Sequence, residues 1–193
     1  MMRVIFASNN AAKLREISGA LEGAFTLVSL KEIGFEGEIP ETGRTLEENA
    51  MQKAKYIFDR YGGAVFADDS GLEVDCLGDA PGVDTAHYSG SRDAHAYMAL
   101  LLKSMADCPD RSAKFKTVIA YVSPKEQTLF VGEVSGVIAM EKRGQEGFGY
   151  DPLFLPEGGE LTYAEMGAEA KALTSHRVRA LNKLVAYLRE GKA

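Results

Sequence analysis

The sequence predicts an α/β fold with a mixed, twisted sheet and flanking helices. Strand-like and helix-like segments alternate along the chain, beginning with an apolar, β-branched segment at 3–7 and a segment of helical periodicity at 14–21. Two longer strand-like segments, at 114–122 and 128–140, are separated only by a short turn, which indicates antiparallel pairing. Alternation favours parallel strands as well, so we expect strands of both directions in the sheet.

The elements of the first part of the chain have local start and stop signals. A second strand is expected at 26–30. Thr45 followed three residues later by Glu48 is a capping-box pattern, which predicts the start of a helix. This helix is expected to run to about Tyr61, because Gly62 follows it. The remaining predicted elements are short strands at 64–67 and 72–77 around a polar break at 68–71, a helix at 94–105, a short strand at 153–155, and a last helix from near Ser175 to near Gly191.

Composition and charge are those of a globular protein. The 193 residues are 46% hydrophobic and 26% charged, with a formal net charge of −6. This length suits a single domain over 1–193, or one domain with two lobes. No apolar run approaches the ~18 residues that span a bilayer, so no membrane partner is expected. The acidic balance argues against nucleic acid as a partner, since binding to its backbone requires positive surface.

The two cysteines bear on the cellular compartment. Cys76 and Cys108 have neither metal-ligand spacing nor the pattern of a disulfide framework. The first eight residues carry too short an apolar stretch for a signal peptide. We therefore expect a protein of the reducing cytoplasm, without a disulfide framework.

Polar residues lie between the first strand and the first helix. Ser8, Asn9 and Asn10 precede the helix, and Lys13 follows in its first turn. Backbone N–H groups at a helix N-terminus attract anions, and Lys13 can reach the same anion. Helix capping explains the same residue types without a ligand. The pattern leaves phosphate binding and simple capping both open.

Asp68 and Asp69 are adjacent carboxylates at the end of an apolar strand-like segment. Like charges raise each other's pKa, and a divalent cation removes this cost. Mg²⁺ prefers one or two carboxylates together with phosphate oxygens, and Glu41, in an irregular loop, could join Asp69 at such an ion. The alternative is a solvated turn that uses Ser70 and Gly71.

A glycine-rich segment at 147–152 contains two aromatic residues, Phe148 and Tyr150, and one acid, Asp151. Glycines on both sides of Phe148 allow close approach of a flat ligand, on which the ring could stack. Asp151 could accept hydrogen bonds from N–H groups of a base. A glycine-rich turn around a core Phe has the same pattern, so both interpretations stay open.

Cationic side chains occupy helix positions that lack an apolar role. Lys53 lies inside the second predicted helix and can point into a cleft. Lys171, His176 and Arg177 cluster around the start of the last helix, where the helix dipole disfavours positive charge. A local conflict of this kind indicates function, although a solvated helix end is also possible.

These motifs occur in a fixed order over about residues 3–190. They are Ser8-Asn9-Asn10 with Lys13 and Glu16, Glu41-Thr42-Gly43, Glu48-Asn49-Ala50 with Lys53-Ala54, Ala67-Asp68-Asp69-Ser70-Gly71-Leu72, Ala80-Pro81-Gly82-Val83, Phe148-Gly149-Tyr150-Asp151-Pro152, and Lys171 with Ser175-His176-Arg177. In this order and spacing they resemble the inosine triphosphate pyrophosphatases, a family of non-canonical purine NTPases.

The resemblance implies two lobes with a nucleotide cleft between them, a homodimer, and Mg²⁺-dependent hydrolysis of ITP, dITP and XTP to the monophosphate and pyrophosphate. It also implies a role for each matching residue. The triphosphate would be held by Ser8, Asn9, Asn10, Lys13 and Lys53, with Ser70 at the phosphate or ribose end. The metal would be bound by Glu41 and Asp69, and Asp69 would also be the general base. The purine would stack on Phe148, in the same loop as Gly149 and Tyr150, and would be surrounded by Asp151, Lys171, His176 and Arg177.

The sequence departs from the family pattern at two places and leaves two other functions open. His87 stands where the family often has Arg, and Gln145-Glu146 replaces a more common Thr-Gly.

A pyrophosphatase of the Maf type is the alternative enzyme, against which His176 and Arg177 argue. A nucleotide-sensing module without catalysis is the alternative outside enzymes, and the retention of acidic and lysine residues together argues against it.

Overall fold

The computed structural model describes residues 2–21, 23 and 25–191. Its six strands form one sheet in the order β2-β1-β3-β4-β5-β6. β1 pairs in parallel with both β2 and β3, while β5 and β6 pair antiparallel, so the predicted mixed sheet is confirmed. The strands are β1 (Arg3–Phe6), β2 (Thr26–Ser29), β3 (Ala64–Val74), β4 (Ser112–Val122), β5 (Gln127–Ile138) and β6 (Phe154–Pro156).

Five α-helices accompany the sheet in the described part of the chain. They are α1 (Ala11–Ala20), α2 (Leu46–Tyr61), α3 (Ala94–Ser104), α4 (Tyr163–Thr174) and α5 (His176–Glu190). Two short 3₁₀ helices, Asp75–Leu77 and Gly82–His87, lie between β3 and α3. Within these described residues, no helix is both long and apolar enough to cross a membrane.

The chain divides into two compact units. The first consists of the chain up to Asp69, Thr117–Gly132, and the chain from Arg177 onward. Phe6 of β1 and Phe66 of β3 stack in its core with ring centroids 4.8 Å apart. Apolar residues of α1 and α5 complete this core, at the periodicity that predicted both helices.

The second unit consists of Ser70–Lys116 and Glu133–His176. Its core contains Met98 and Leu101 of α3 together with Met105, which follows the helix, and all three are buried. Phe115 of β4 packs edge to face on Phe154 of β6, with ring centroids 4.6 Å apart. The unit therefore has an aromatic and aliphatic core of its own.

The predicted break at 68–71 is wrong. β3 runs without interruption from Ala64 to Val74, and the segment predicted as the end of a second strand forms the 3₁₀ helix Asp75–Leu77. Asp, Ser and Gly favour turns locally, but here inclusion in a long strand of the sheet overrides that preference. The acidic pair therefore lies inside a central strand, where the strand geometry fixes its side chains.

Helix α4 was missed at the sequence level. Its start has a capping box, in which Thr162 and Glu165 exchange side-chain and backbone hydrogen bonds. Gly167, with φ at 79°, interrupts the helical backbone and obscures the apolar periodicity. The expected box at α2 is incomplete, because the Glu48 carboxylate accepts from the N–H of Arg44 and not from that of Thr45.

The expectation that the cysteines would form no disulfide is also wrong. Cys76 and Cys108 are bonded to each other, with Cα atoms 6.2 Å apart. Cys76 lies in the 3₁₀ helix after β3, and Cys108 lies beyond the end of α3. The fold brings these two segments of the second unit together over 32 residues, which the spacing of only two cysteines cannot reveal.

Candidate active site

The N-terminus of α1 is an exposed, capped helix start in the first unit. Asn10 is the N-cap, and its Oδ1 accepts from the N–H groups of Ala12 and Lys13 at 3.0 and 3.2 Å. The Ser8 hydroxyl accepts from the N–H of Asn10 at 3.2 Å, and Asn9 donates to the carbonyl of Gly37. Capping thus accounts for the local conformation, while the start of α1 stays accessible to an anion.

Lys13 extends from the first turn of α1 to a buried carboxylate. Its Nζ lies 3.0 Å from Oδ2 of Asp68, and its side chain is largely buried. Burial lowers the pKa of Lys13, and the nearby Asp68 carboxylate offsets only part of that effect. The ammonium therefore has a fixed anionic partner on β3.

Asp68 also binds Arg177, the second residue of α5. Both side chains are about 1% exposed, and Nε of Arg177 donates to Oδ2 of Asp68 at 3.0 Å. Burial would raise the pKa of Asp68, but Lys13 and Arg177 outweigh burial and hold it well below its ordinary value. Nη1 of Arg177 donates to Glu16 at 2.5 Å. Arg177, predicted beside a purine, is thus part of an ion-pair network in the first unit.

The loop that carries Glu41 is fastened to α2. The N–H of Thr42 donates to Gln52 at 2.8 Å, and that of Gly43 donates to Asn49 at 2.7 Å. A Cβ on Gly43 would lie 2.7 Å from the Cβ of Glu48, so only glycine allows this close approach. These contacts hold the loop so that the Glu41 carboxylate accepts a short hydrogen bond from Lys53.

Lys53 joins Glu41 to Asp69. Its side chain is 7% exposed, and its Nζ lies 3.3 Å from Oδ1 of Asp69, which is 13% exposed. Burial raises the pKa of Asp69; Lys53 opposes this rise, while Glu41 and Asp68 add to it. Burial would lower the pKa of Lys53, but the carboxylates of Asp69, Asp68 and Glu41 raise it overall. The site therefore disfavours negative charge on Asp69 unless more positive charge is added.

Glu41 and Asp69 have the donor chemistry of a magnesium site. Both carboxylates reach the same ammonium nitrogen, which shows that they converge on one small volume. Among the described residues, no group of three or more His, Cys, Asp or Glu side chains could hold a metal ion. Two carboxylates suit Mg²⁺ when the substrate supplies phosphate oxygens as further ligands.

A separate constellation lies in the second unit, around the turn that contains Phe148. The N–H of Phe148 donates to Oδ2 of Asp151 at 2.9 Å. Gly147 has φ at 80°, and a Cβ there would lie 2.1 Å from the same Asp151 oxygen. The turn thus depends on glycine at 147 for both its backbone conformation and its space.

Lys171 of α4 completes this constellation. Its Nζ donates to Oδ2 of buried Asp151 at 2.7 Å and lies 4.5 Å from the centroid of the Phe148 ring. A cation over an aromatic face is attracted by the ring quadrupole. Phe148, Asp151 and Lys171 therefore form the expected combination of one ring, one acceptor and one donor.

The remaining residues predicted to bind the substrate lie in the second unit. The His176 ring is buried and stacks on Phe115, with centroids 4.7 Å apart. The Tyr150 hydroxyl donates to the carbonyl of Thr85 at 3.1 Å, and burial raises the pKa of this phenol. Gly149 has φ at 66°, and Ser70 is the first residue of the second unit, directly after Asp69.

Asp68 and Glu16 are site residues that sequence reasoning did not assign. Both appear in the motifs that carry the family resemblance, but neither received a role. Adjacency to Asp69 was a signal for Asp68, and spacing of one helical turn from Lys13 was a signal for Glu16. The exposed His87, at the end of the second 3₁₀ helix, has no contact with these clusters among the described interactions.

The described clusters combine paired lysines and carboxylates in the first unit with an aromatic ring and a paired lysine in the second, and these side-chain types suit a phosphorylated ligand with a flat ring. The chain belongs to the Ham1 family, whose family model matches residues 4–187. This match confirms the resemblance that the ordered motifs indicated.

Relatives with similar sequences have a named activity. A protein of Porphyromonas gingivalis named dITP/XTP pyrophosphatase is 47% identical over 190 residues, covering 97% of this chain and 98% of the relative. A protein of the same name from Flavobacterium psychrophilum is 43% identical, covering 97% of this chain and 100% of the relative. The expectation that the chain is an enzyme, a nucleoside triphosphate pyrophosphatase, is confirmed.

Solved structures agree with the fold. The Ham1 protein of Staphylococcus aureus matches with a TM-score of 0.90 and 36% identity, over 98% of this chain and 100% of that one. A structure from Mycobacterium abscessus, named nucleoside-triphosphatase / dITP/XTP pyrophosphatase, matches with a TM-score of 0.78 and 45% identity, over 95% and 98% of the two chains.

Proposed function

We propose that this chain hydrolyses the non-canonical purine nucleoside triphosphates dITP, XTP and ITP to the nucleoside monophosphate and pyrophosphate, with Mg²⁺ as cofactor. The observation that carries the proposal is the arrangement of Asp69, Glu41 and Lys53, in which two carboxylates converge beside a buried lysine. The names of the relatives supply the substrate class.

The triphosphate is assigned to the charged cluster of the first unit. A nucleoside triphosphate carries roughly four negative charges, which must be neutralised before water can attack. Lys13 and Lys53 supply fixed positive charge, and the start of α1 supplies N–H groups together with Ser8, Asn9 and Asn10. The start of α1 and the two ammonium groups would thus bind different phosphate oxygens of the triphosphate.

Glu41 and Asp69 are proposed to hold the magnesium ion. Mg²⁺ bound there would withdraw charge from the phosphate oxygens and from the leaving pyrophosphate. The raised pKa of Asp69 fits this assignment, because burial beside Glu41 makes a further cation favourable. Two protein carboxylates suffice for this ion, because phosphate oxygens of the substrate would supply further ligands.

Asp69 is proposed as the general base. A water oxygen bonds to the α-phosphorus, the bond from that phosphorus to the bridging oxygen breaks, and the water proton passes to the Asp69 carboxylate. A base whose pKa lies above the ordinary carboxylate value retains the proton better. Lys53, which donates to Glu41 and lies beside Asp69, fixes both carboxylates.

Purine selection is assigned to the second unit. Phe148 is proposed to stack on the purine, and Lys171 and His176 to donate to a 6-oxo group, which adenine lacks. Asp151 accepts from Lys171 and from the Phe148 N–H, and it is proposed to accept from the base as well. Gly149 and Tyr150 hold the loop, and Ser70 is proposed at the phosphate or ribose end. A purine contact of Arg177 stays a prediction.

Quaternary state and compartment follow as further proposals. We propose a homodimer, acting on free nucleotides with Mg²⁺ and without a nucleic-acid partner. The cytoplasm is proposed because the nucleotide pool is the substrate source. The Cys76–Cys108 disulfide removes the earlier argument from unpaired cysteines. Light scattering coupled to gel filtration tests the dimer.

A substrate panel tests the proposed activity. The purified protein is incubated with ATP, GTP, ITP, XTP and dITP, with and without Mg²⁺, and products are separated by anion exchange. We expect monophosphate and pyrophosphate from ITP, XTP and dITP, only with Mg²⁺, and much slower turnover of ATP and GTP. Equal turnover of all five, release of orthophosphate alone, or tight ITP binding without hydrolysis would overturn the proposal.

A further inference from the structure

The two adjacent acids of β3 bind different lysines. Asp68 and Asp69 follow one another within the strand. Asp68 contacts Lys13 of α1, whereas Asp69 contacts Lys53 of α2. The ammonium groups of Lys13 and Lys53, both proposed to bind the triphosphate, therefore each contact one carboxylate of the Asp68-Asp69 pair.

Asp68 belongs to a closed ring of charges within the first unit. Its Oδ2 receives both Nζ of Lys13 and Nε of Arg177, each at 3.0 Å. Arg177 continues to Glu16, whose Oε2 is 2.5 Å from Nη1. Glu16 lies one helical turn after Lys13 on α1, so the ring returns to the helix from which it began.

This ring restricts the side chain of Lys13. A lysine ammonium is a compact charge on a flexible four-carbon stem, and ordering it costs conformational entropy. In this ring Asp68 faces the cations of Lys13 and Arg177, and Asp68 and Arg177 are almost fully buried. Low exposure to water strengthens these ion pairs and restricts their geometry. The orientation of Lys13 is therefore fixed before a ligand arrives.

We propose that Asp68 is a positioning residue for the reaction: it orients the Lys13 ammonium toward the triphosphate, while Arg177 fixes Asp68 itself. The proposal rests on the proposed function, since that function makes Lys13 a phosphate ligand. Asp69 keeps its own task at the metal and water. The alternative is that Asp68 serves only to neutralise the buried Arg177.

A double-mutant cycle separates positioning from a purely structural role. The variants are Asp68→Asn, Lys13→Met and the combination, assayed for kcat and KM on ITP and for binding of inorganic pyrophosphate with Mg²⁺ by calorimetry. We expect Asp68→Asn to lower kcat/KM by about 10- to 100-fold, the scale of a misplaced catalytic group. In the Lys13→Met background the same change should cost less than about 2-fold, because the residue it positions is absent. Equal losses in both backgrounds overturn the proposal.

Two further variants guard against loss of the fold. Glu16→Gln removes the other carboxylate of Arg177 without touching Lys13, so it should lower the melting temperature as Asp68→Asn does, but reduce kcat/KM much less. Asp68→Glu keeps the charge and displaces the carboxylate by one methylene, and it replaces Asp68→Asn in the cycle if the latter does not fold. Equal kcat/KM losses for Glu16→Gln and Asp68→Asn contradict the positioning role.

The binding measurement keeps the two proposals distinguishable. If the wild type hydrolyses none of the triphosphates but binds pyrophosphate with Mg²⁺, the proposed function fails, and the cycle is evaluated on that binding alone. Coupling between Asp68 and Lys13 in pyrophosphate affinity then supports positioning. A wild type that binds neither ITP nor pyrophosphate overturns both.

Discussion

Asp68 and Asp69 are chemically identical neighbours whose pKa values are displaced in opposite directions. Burial raises the pKa of each side chain, so the difference comes from their partners. Asp68 has two cationic partners, Lys13 and Arg177, whereas Asp69 shares Lys53 with Glu41. One acid is therefore held ionised by its surroundings, whereas the surroundings of the other favour its protonated form.

Replacing Asp69 by Asn is expected to separate activity from stability. In the proposed mechanism the change removes the base and one metal ligand, so kcat on ITP should fall by at least ~10². The pKa of Asp69 is raised in the folded state, so its ionised form destabilises the metal-free fold. The melting temperature of metal-free Asp69→Asn at pH 7 should therefore be higher than that of the wild type, as measured by differential scanning calorimetry.

The sign of this effect sets its pH dependence. A carboxyl whose folded pKa is raised contributes stability when protonated, and it loses that contribution as pH rises from the ordinary value of 3.8 through the folded pKa. Asn cannot ionise, so the advantage of the variant should grow over this window and vanish below it. Added Mg²⁺ should stabilise the wild type only. A metal-free variant that melts below the wild type, or that retains turnover, would contradict the assignment.

At the scale of single residues, the sequence indicated which side chains carry chemistry but not how they pair. Lys13 could be selected because it lies at a helix start that attracts anions, and Asp69 with Glu41 because paired carboxylates suit a divalent cation. The bond between Asp68 and Arg177 joins positions 109 residues apart, and no local pattern specifies it. Partners of this kind depend on the packed fold.

At the scale of elements, local signals predicted those segments in which propensity and tertiary structure agree. α2 begins at its Thr45 cap and ends at Gly62, whose φ is 65°, as its sequence indicates. β3 and α4 were mispredicted because a turn-forming Asp-Asp-Ser-Gly segment lies within a strand and Gly167 lies within a helix. In β3 the sheet overrides local preference, and the place of conflict carries the acids of the proposed active site.

The turn at Gly147 offers a test of the proposed purine site. In Gly147→Ala the new Cβ would lie 2.1 Å from Oδ2 of Asp151, the atom that receives both Lys171 and the Phe148 N–H. We expect KM for ITP to rise by at least ~10-fold, since positioning groups of a binding site are displaced. Steady-state kinetics on ITP and XTP provide the measurement.

The matched control for this change is Gly158→Ala. Gly158 has a similar φ of 74°, but a Cβ there meets nothing within 4 Å. It therefore has the same backbone strain without the clash at Asp151. The control should lose stability with little change in KM. Equal KM changes in the two variants would show that strain alone, and not the Asp151 contact, determines substrate binding.

At the scale of the whole molecule, an acidic protein concentrates its cations where the proposed substrate needs them. The formal net charge is −6, yet Lys13, Lys53, Lys171 and Arg177 are all largely buried and all paired with carboxylates. Buried charge is costly unless it is paired. These ion pairs therefore hold the four cationic groups in place before a substrate binds. The net negative charge follows from composition alone. That these positively charged side chains are buried could be seen only in the fold.

The disulfide of the second unit gives the last prediction, because it restrains the unfolded chain. It closes a loop with a sequence separation of 32, and crosslinks of this size stabilise by about 2–4 kcal/mol. Cys76→Ser with Cys108→Ser should lower the free energy of unfolding in urea by that amount, and a reductant should produce the same loss in the wild type but none in the variant. kcat/KM on ITP should be unchanged at temperatures where both proteins are folded, since neither cysteine belongs to the charged cluster of the first unit or to the constellation of Phe148, Asp151 and Lys171. Equal unfolding midpoints for oxidised wild type and variant would contradict the stabilising role, and a fall in kcat/KM of the folded variant would show that the crosslink also acts on the site.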